Sequence, residues 1–250
     1  MASRFRSFAF AAAALPLALA LSACGDKKTD AAPSGESAAK VAPPAGKAWS
    51  DVVTKTEEGG YRVGNPNAPI KLVEYGALSC SHCAQFAKES GEKLLNDYVG
   101  SGRVSYELRF FMLNAFDVPA TLLATCGANE AVVPLSEQFW AWQPNMFTNL
   151  QTAGDPKIQQ AAALPPAQRM QAIAQLAGMS EFFASRGISR DQGAACLADT
   201  AKADALAKQT ETASTKYEVS GTPTFFINDA PVGTADWATL EPKLQAAGAR

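Results

Sequence analysis

Two cysteines with two residues between them, Cys80 and Cys83, stand where one local pattern gives way to another. Before them, residues 69–75 (PIKLVEY) form a short β-rich run. After them, Cys83, Phe86, Ala87, Ser90, Leu94 and Tyr98 fall near one face at the 3.6-residue period of a helix, which Gly100 and Gly102 end. Residues 104–111 (VSYELRFF) form a second β-rich run. Strand, helix, strand in this order is a βαβ unit with a right-handed crossover, and the paired cysteines open its helix.

The chemistry of such a pair depends on what else the chain supplies. Its 250 residues contain five cysteines (Cys24, Cys80, Cys83, Cys126 and Cys196) and one histidine, His82, inside the motif. One histidine excludes a Cys2His2 zinc site, a three-histidine catalytic metal site, and any Ser-His-Asp triad without His82. A zinc knuckle needs two further ligands at short spacing, whereas Cys126 and Cys196 are isolated, so no metal site is expected. A static staple is the other bland reading, but a two-residue spacer across a helix start seldom serves only to staple. A redox dithiol is the leading reading. Cys80 falls at the N-cap or first turn, where unpaired N–H groups and the helix dipole stabilise a thiolate. His82 either adds a donor or positive charge near that sulfur or is simply an exposed helix residue. Cys83, one turn further in, is expected to be the more buried, resolving thiol.

The N-terminus reads as a processed leader. Arg4 and Arg6 precede an apolar run over residues 8–21, too short for the ~20 residues that span a bilayer. Leu21-Ser22-Ala23-Cys24 resembles the lipobox of bacterial lipoproteins, which implies cleavage before Cys24 and lipidation there; the alternative is an ordinary signal peptide with a chance cysteine. Gly25, rather than the Asp of enterobacterial inner-membrane retention, follows Cys24, which leaves the choice of membrane open. Residues 24–48 are rich in Ala, Pro, Ser, Gly and Lys and read as a lipid-anchored flexible tether spanning roughly 25–30 Å. Removing the leader takes the formal charge from −2 to −4, and no basic stripe points to nucleic acid.

Residues 49–114 contain the βαβ unit. Residues 115–219 carry almost no strand signal and read as four to six helices, broken by Pro119, Pro134, Pro144, Pro165-Pro166 and Gly187. Residues 220–250 hold a short strand (TFFI, 224–227), a turn at Asn228-Asp229, a second strand and a last helix. The fold class is α/β with a helical insertion. Phe139, Trp142, Met146 and Phe147 share a face only if one helix runs through Pro144, which is expected to kink or restart it. They read as insertion core, with a minor reading as part of an apolar groove near Cys80. Cys126 and Cys196 are the remaining even pair and are expected to form a structural disulfide; separate buried thiols and a second redox pair are the alternatives. Glu74 is a carboxylate in a mostly apolar run and needs either solvent, a partner or a function.

The strand–Cys80-Ser81-His82-Cys83–helix start, the long helical block and the later Gly221-Thr222-Pro223-Thr224-Phe225-Phe226 together resemble the DsbA-like thioredoxin-fold disulfide oxidoreductases, here in lipoprotein form, over about residues 63–246. The resemblance implies a thioredoxin fold, a cis Thr222–Pro223 bond packed against the dithiol, and no cofactor; a trans proline opening an edge strand is the alternative. It gives Glu74 the role of assisting proton transfer at the resolving cysteine. Thr222 and Ser81 become candidate substrate-contacting residues, Thr222 by strand-like pairing. Ser81 stands where many strong oxidants of the family have Pro, so the resemblance does not set the potential. The implied activity is disulfide formation in unfolded, exported proteins of a bacterial cell envelope, on its periplasmic side, by a monomer that a quinone-linked membrane protein reoxidises. A disulfide reductase or isomerase is the close alternative, and a copper-binding thioredoxin-like chaperone the distant one.

Overall fold

Strand β3 (Ile70–Gly76) is buried on both faces, except at Lys71, because a parallel neighbour and two covering layers leave no side open to water. It lies at the centre of a six-stranded sheet ordered β1-β2-β4-β3-β5-β6. The others are β1 (Val53–Lys55), β2 (Tyr61–Gly64), β4 (Val104–Phe110), β5 (Thr224–Ile227) and β6 (Ala230–Gly233). Only β3 and β4 run parallel, joined by the crossover helix α1 (Ser81–Glu92). The computed structural model describes residues 37–250. The leader expected over residues 1–23, the lipidation site Cys24 and the first half of the tether lie outside the described residues.

Period-2 alternation divides β3 between two cores. Ile70 and Leu72 join the main cluster, whereas Val73 and Tyr75 pack with Phe111, Ala213 and Val219 on the other face. Glu74 shares the main-core face. Helix α1 turns sharply at Gly91, whose φ of 40° suits glycine, and continues as a π-helical segment, Lys93–Val99. Phe86 then meets Phe225 at a ring-centroid distance of 4.5 Å and Trp237 at 6.2 Å, tying α1 to β5 and to α9 (Trp237–Ala246). Asn228 and Asp229 both have positive φ, 50° and 65°, and close the β5–β6 hairpin in two residues.

Between β4 and β5 the described chain is helical: α2 (Asp117–Ala124), α3 (Asn129–Ala153), α4 (Asp155–Ala162), α5 (Pro166–Leu176), α6 (Met179–Ala184), α7 (Arg190–Leu197) and α8 (Thr200–Lys216). That is more helices than the four to six expected. Gly154 and Gly178, with φ of 81° and 75°, cap α4 and α6 and cut the apolar pattern into shorter pieces. The expected break at Pro144 does not occur, and α3 runs through both Pro134 and Pro144. Each proline costs about 3 kcal/mol in a helix interior. Burial of Phe139, Trp140, Met146 and Leu150, at roughly 1.5–3 kcal/mol each, outweighs it. Phe139 and Met146 are core residues, Trp142 is half-buried, and Phe147 points outward.

Two further differences concern the N-terminal part. Strands β1 and β2 have too few residues to show periodicity, and pairing with β4 makes them strands. The flexible tether expected over residues 24–48 is, from Ser37 to Val41, a strap laid on the body. Ala38 N–H donates to Gly248 O (3.0 Å), Val41 N–H to Ser101 O (3.1 Å), and the Trp49 indole to Val41 O (2.7 Å). Composition alone cannot reveal these partners, because they are backbone groups distant in sequence.

Cys126, just after α2, and Cys196, in α7, are disulfide-bonded, with Cα atoms 5.9 Å apart. The bridge joins positions 70 residues apart within the insertion. Replacing both by Ser is expected to cost about 2–4 kcal/mol in urea unfolding and leave Cys80 titration unchanged. A loss under about 0.5 kcal/mol would show that the insertion needs no closure.

Candidate active site

Cys80 is the N-cap of α1, with φ −78° and ψ 118°, and its sulfur accepts the Cys83 N–H at 3.2 Å. Serine, threonine and aspartate oxygens usually fill this place, and sulfur does so here. Across the site, the sulfur lies 3.3 Å from Thr222 O. The Thr222–Pro223 peptide is cis, and both residues are buried. The Thr222 hydroxyl is buried and has no hydrogen-bond partner among the described residues. Cys80 retains 6% exposure and Cys83 none, so Cys83 is the more deeply buried of the two.

The two thiols are driven apart. The hydrogen bond from the Cys83 side chain, opposed by burial and helped by the backbone N–H groups of Cys83 and His82, holds Cys80 below the ordinary thiol range. Burial pushes Cys83 up, and its bond to Cys80 and the charge of Glu74 push it further. One nucleophilic thiolate and one proton-holding partner result.

Glu74 has no exposure. Its Oε2 accepts the Tyr106 hydroxyl at 2.7 Å, and its Oε1 has no partner among the described residues. Burial pushes its carboxyl up to about 8, against the lowering effect of Tyr106, and the charges of Cys80 and Glu137 add to the rise. Burial therefore favours the protonated form of this acid near neutral pH, within reach of the charges of Cys80 and Cys83. A Cβ on Gly76 would come within 3.1 Å of Glu74 Oε1 and 3.3 Å of the Trp140 ring, so a larger residue here would press on the acid and the ring.

Of the residues singled out from sequence, the structure brings Cys80, Cys83, Thr222, Pro223 and Glu74 together. Ser81 and His82 are exposed on the first turn of α1. The His82 imidazole makes no hydrogen bond among the described residues; its backbone N–H, rather than its ring, favours the thiolate. The first turn points that side chain outward, which is the exposed-helix alternative for this residue.

Sequence reasoning misses the residues that hold the loop before Cys80. Trp140 Nε1 donates to Ala77 O (2.9 Å). Gln143 Nε2 donates to Leu78 O (2.7 Å) and to Cys80 O (3.1 Å). Asp117, fully buried, accepts from Ser79 N–H (2.7 Å), the Ser79 hydroxyl (2.9 Å), Leu113 N–H (3.0 Å) and Asn114 N–H (3.1 Å). Glu137, pushed up to about 7 by burial, lines with Trp140 and Gln143 a groove of about 890 Å³ between α1 and α3. The one signal in the sequence is a glutamine within the aromatic stretch at residues 139–147.

A family model described as Thioredoxin matches residues 56–246, and the chain belongs to that family. Its form is the DsbA-like thioredoxin fold with a helical insertion. The crystal structure of a protein-disulfide isomerase from Novosphingobium aromaticivorans is 33% identical, with a TM-score of 0.71 over 75% of this chain and 96% of that one. Alpha-DsbA1 of Wolbachia pipientis shares the fold at 20% identity, with a TM-score of 0.58 over 75% of this chain and 89% of that one. A Rickettsia conorii protein named "Putative protein-disulfide oxidoreductase" is 23% identical, the match covering 78% of this chain and 63% of that one. The chain thus spans less than two thirds of the length of the curated relatives it first matches.

Two measurements check the electrostatics. Thiolate absorbance against pH is expected to titrate Cys80 at about 6, and a midpoint above about 8 would remove the basis of the N-cap argument. Glu74 binds its proton more tightly folded than unfolded, so the wild type should lose stability as pH rises from the unfolded carboxyl range to about 8. Glu74→Gln should flatten that decline in urea unfolding at stepped pH and be the more stable protein above pH 8. An unchanged slope would place the titration elsewhere.

Proposed function

We propose that this protein is a thiol–disulfide oxidoreductase that introduces disulfides into exported proteins through Cys80 and Cys83. One observation carries the reading: the Cys80 sulfur caps α1 and accepts the Cys83 N–H, while full burial pushes Cys83 and Glu74 toward their protonated forms. A thiolate stabilised in this way favours the reduced enzyme, and a couple that favours its reduced form is an oxidant.

In the oxidised enzyme, a substrate thiolate attacks Cys80 Sγ. The Cys80–Cys83 bond breaks, and Cys83 leaves with its electron pair. Glu74, protonated at neutral pH, is the proton source for the buried Cys83 sulfur. A second substrate thiolate then attacks the substrate sulfur of the mixed disulfide and expels Cys80 as its stabilised thiolate. The substrate loses two electrons and two protons, and the enzyme ends reduced. An extended substrate chain pairs with Thr222 beside the cis-proline, and Ser81 lies exposed next to the nucleophile. A quinone-linked membrane protein would reoxidise the dithiol. The lipobox-like Leu21–Cys24 supports lipid anchoring in a bacterial envelope, with the monomeric domain facing the periplasm. The strap at Ala38 and Val41 binds near Ser101, just ahead of β4, whereas the dithiol follows the far end of the parallel β3.

The second reading is reduction or isomerisation. The name of the 33%-identical relative and Ser81 in place of Pro favour it. Equilibration of the Cys80–Cys83 couple with glutathione decides between them. A midpoint well above about −250 mV is expected, and one near or below that value overturns the oxidase reading. Cys83→Ser should trap client proteins on Cys80. Trapping by Cys80→Ser instead would reverse the two roles.

A further inference from the structure

The four residues that lead into the helix, Ala77 to Cys80, are each gripped by a side chain of the helical insertion. Trp140 takes the carbonyl of residue 77, Gln143 the carbonyls of 78 and 80, and Asp117 the N–H of 79. These side chains are buried, Asp117 at 0% and Trp140 and Gln143 at 3% exposure each. Nothing in thioredoxin topology requires them, because β3, α1 and β4 close without the insertion. Ser79 also receives the Asn114 side-chain amide at 2.7 Å, which ties in the loop after β4.

We infer that Gln143 is a positioning residue for the reaction, and that through it α3 sets how strongly the site favours the Cys80 thiolate. The inference rests on the oxidoreductase reading above. Its physical basis is the carbonyl dipoles. The Cys80 carbonyl belongs to the residue whose sulfur must carry a negative charge, and the Leu78 carbonyl to the turn that leads into it. Gln143 donates to both, which offsets their partial negative charge and fixes the backbone of the N-cap residue. Cys80 O also accepts the first helical hydrogen bond, from Ala84 N–H at 3.1 Å. Gln143 therefore holds the peptide from which α1 starts, and with it the direction in which the sulfur meets the Cys83 N–H. In a low-dielectric site, a donor lost from a buried carbonyl is not replaced by solvent.

The groups facing this turn are Cys83 from α1, Glu74 from β3, Tyr106 from β4, Asp117 from α2, Glu137 from α3 and Thr222 from the loop before β5. Beside them, Gln143 is the neutral side chain that donates to Cys80 O. Methionine matches its length and volume closely but donates no hydrogen bond, so Gln143→Met tests the donor rather than the packing.

Thiolate absorbance against pH and equilibration with glutathione are measured for the full chain and for Gln143→Met. Loss of the donor is expected to weaken the thiolate about three- to tenfold, with a matching fall in the fraction reduced at a given glutathione ratio. Ile173→Val, a buried truncation in α5, serves as control and should lower the melting temperature without moving either readout. Should Gln143→Met fail to fold, Trp140→Phe removes the bond to Ala77 O, keeps an aromatic ring and should move both readouts in the same direction. A folded Gln143→Met, or failing that Trp140→Phe, with wild-type titration and equilibrium overturns the inference but leaves the oxidoreductase reading standing. A wild-type protein with no thiolate below pH 8 defeats both.

Discussion

A sulfur atom at the start of a helix organises this molecule. Cys80 must cap α1 and yet keep a strip of its surface open to a second sulfur. Capping by sulfur is weaker in geometry than capping by oxygen, so the turn before it needs support from outside the helix. That support comes from the insertion side chains and from Thr222 on the opposite wall. The central strand β3 delivers the turn and buries Glu74 below it, and β4 supplies the hydroxyl that keeps this acid satisfied on one oxygen.

The site separates protons by burial. The Cys80 end of the dithiol meets N–H groups and loses its proton easily, whereas the more deeply buried Cys83 end meets an apolar wall and a carboxyl. Cys83 and Glu74 are both pushed toward their neutral forms by the same desolvation, which lets one hold a proton for the other. A surface dithiol has no such gradient. The cost is a fully buried acid with one oxygen unpartnered among the described residues, a defect that a purely structural core would remove.

The insertion therefore does more than cover the sheet. Its longest helix, α3, crosses two prolines because its buried face is continuous, and that continuity places Trp140 and Gln143 one turn apart against the active-site loop. The Cys126–Cys196 bridge holds α7 against the end of α2, the helix that carries Asp117. Stability of the insertion and geometry of the nucleophile are linked through these few side chains.

The local plan was legible in the sequence, because it rests on short-range chemistry. A β-rich run, a CxxC and a helical face mark β3 and α1, and Thr222-Pro223 marks the opposite wall once a family resemblance is admitted. The even pair Cys126 and Cys196 stood out by spacing and count. The edge strands β1 and β2, the number of insertion helices and the strap at residues 37–41 were not legible, because distant backbone partners create them. The sequence alone determined which atoms can do redox chemistry: two thiols, an acid six residues before the first, and a proline to face them. Tertiary structure decided how those atoms are set. It turned the lone histidine outward, chose its backbone rather than its ring for the thiolate, and recruited Gln143 and Asp117 from the insertion. Hydrogen-bond direction and burial depend on neighbours many residues away, and no local pattern encodes them.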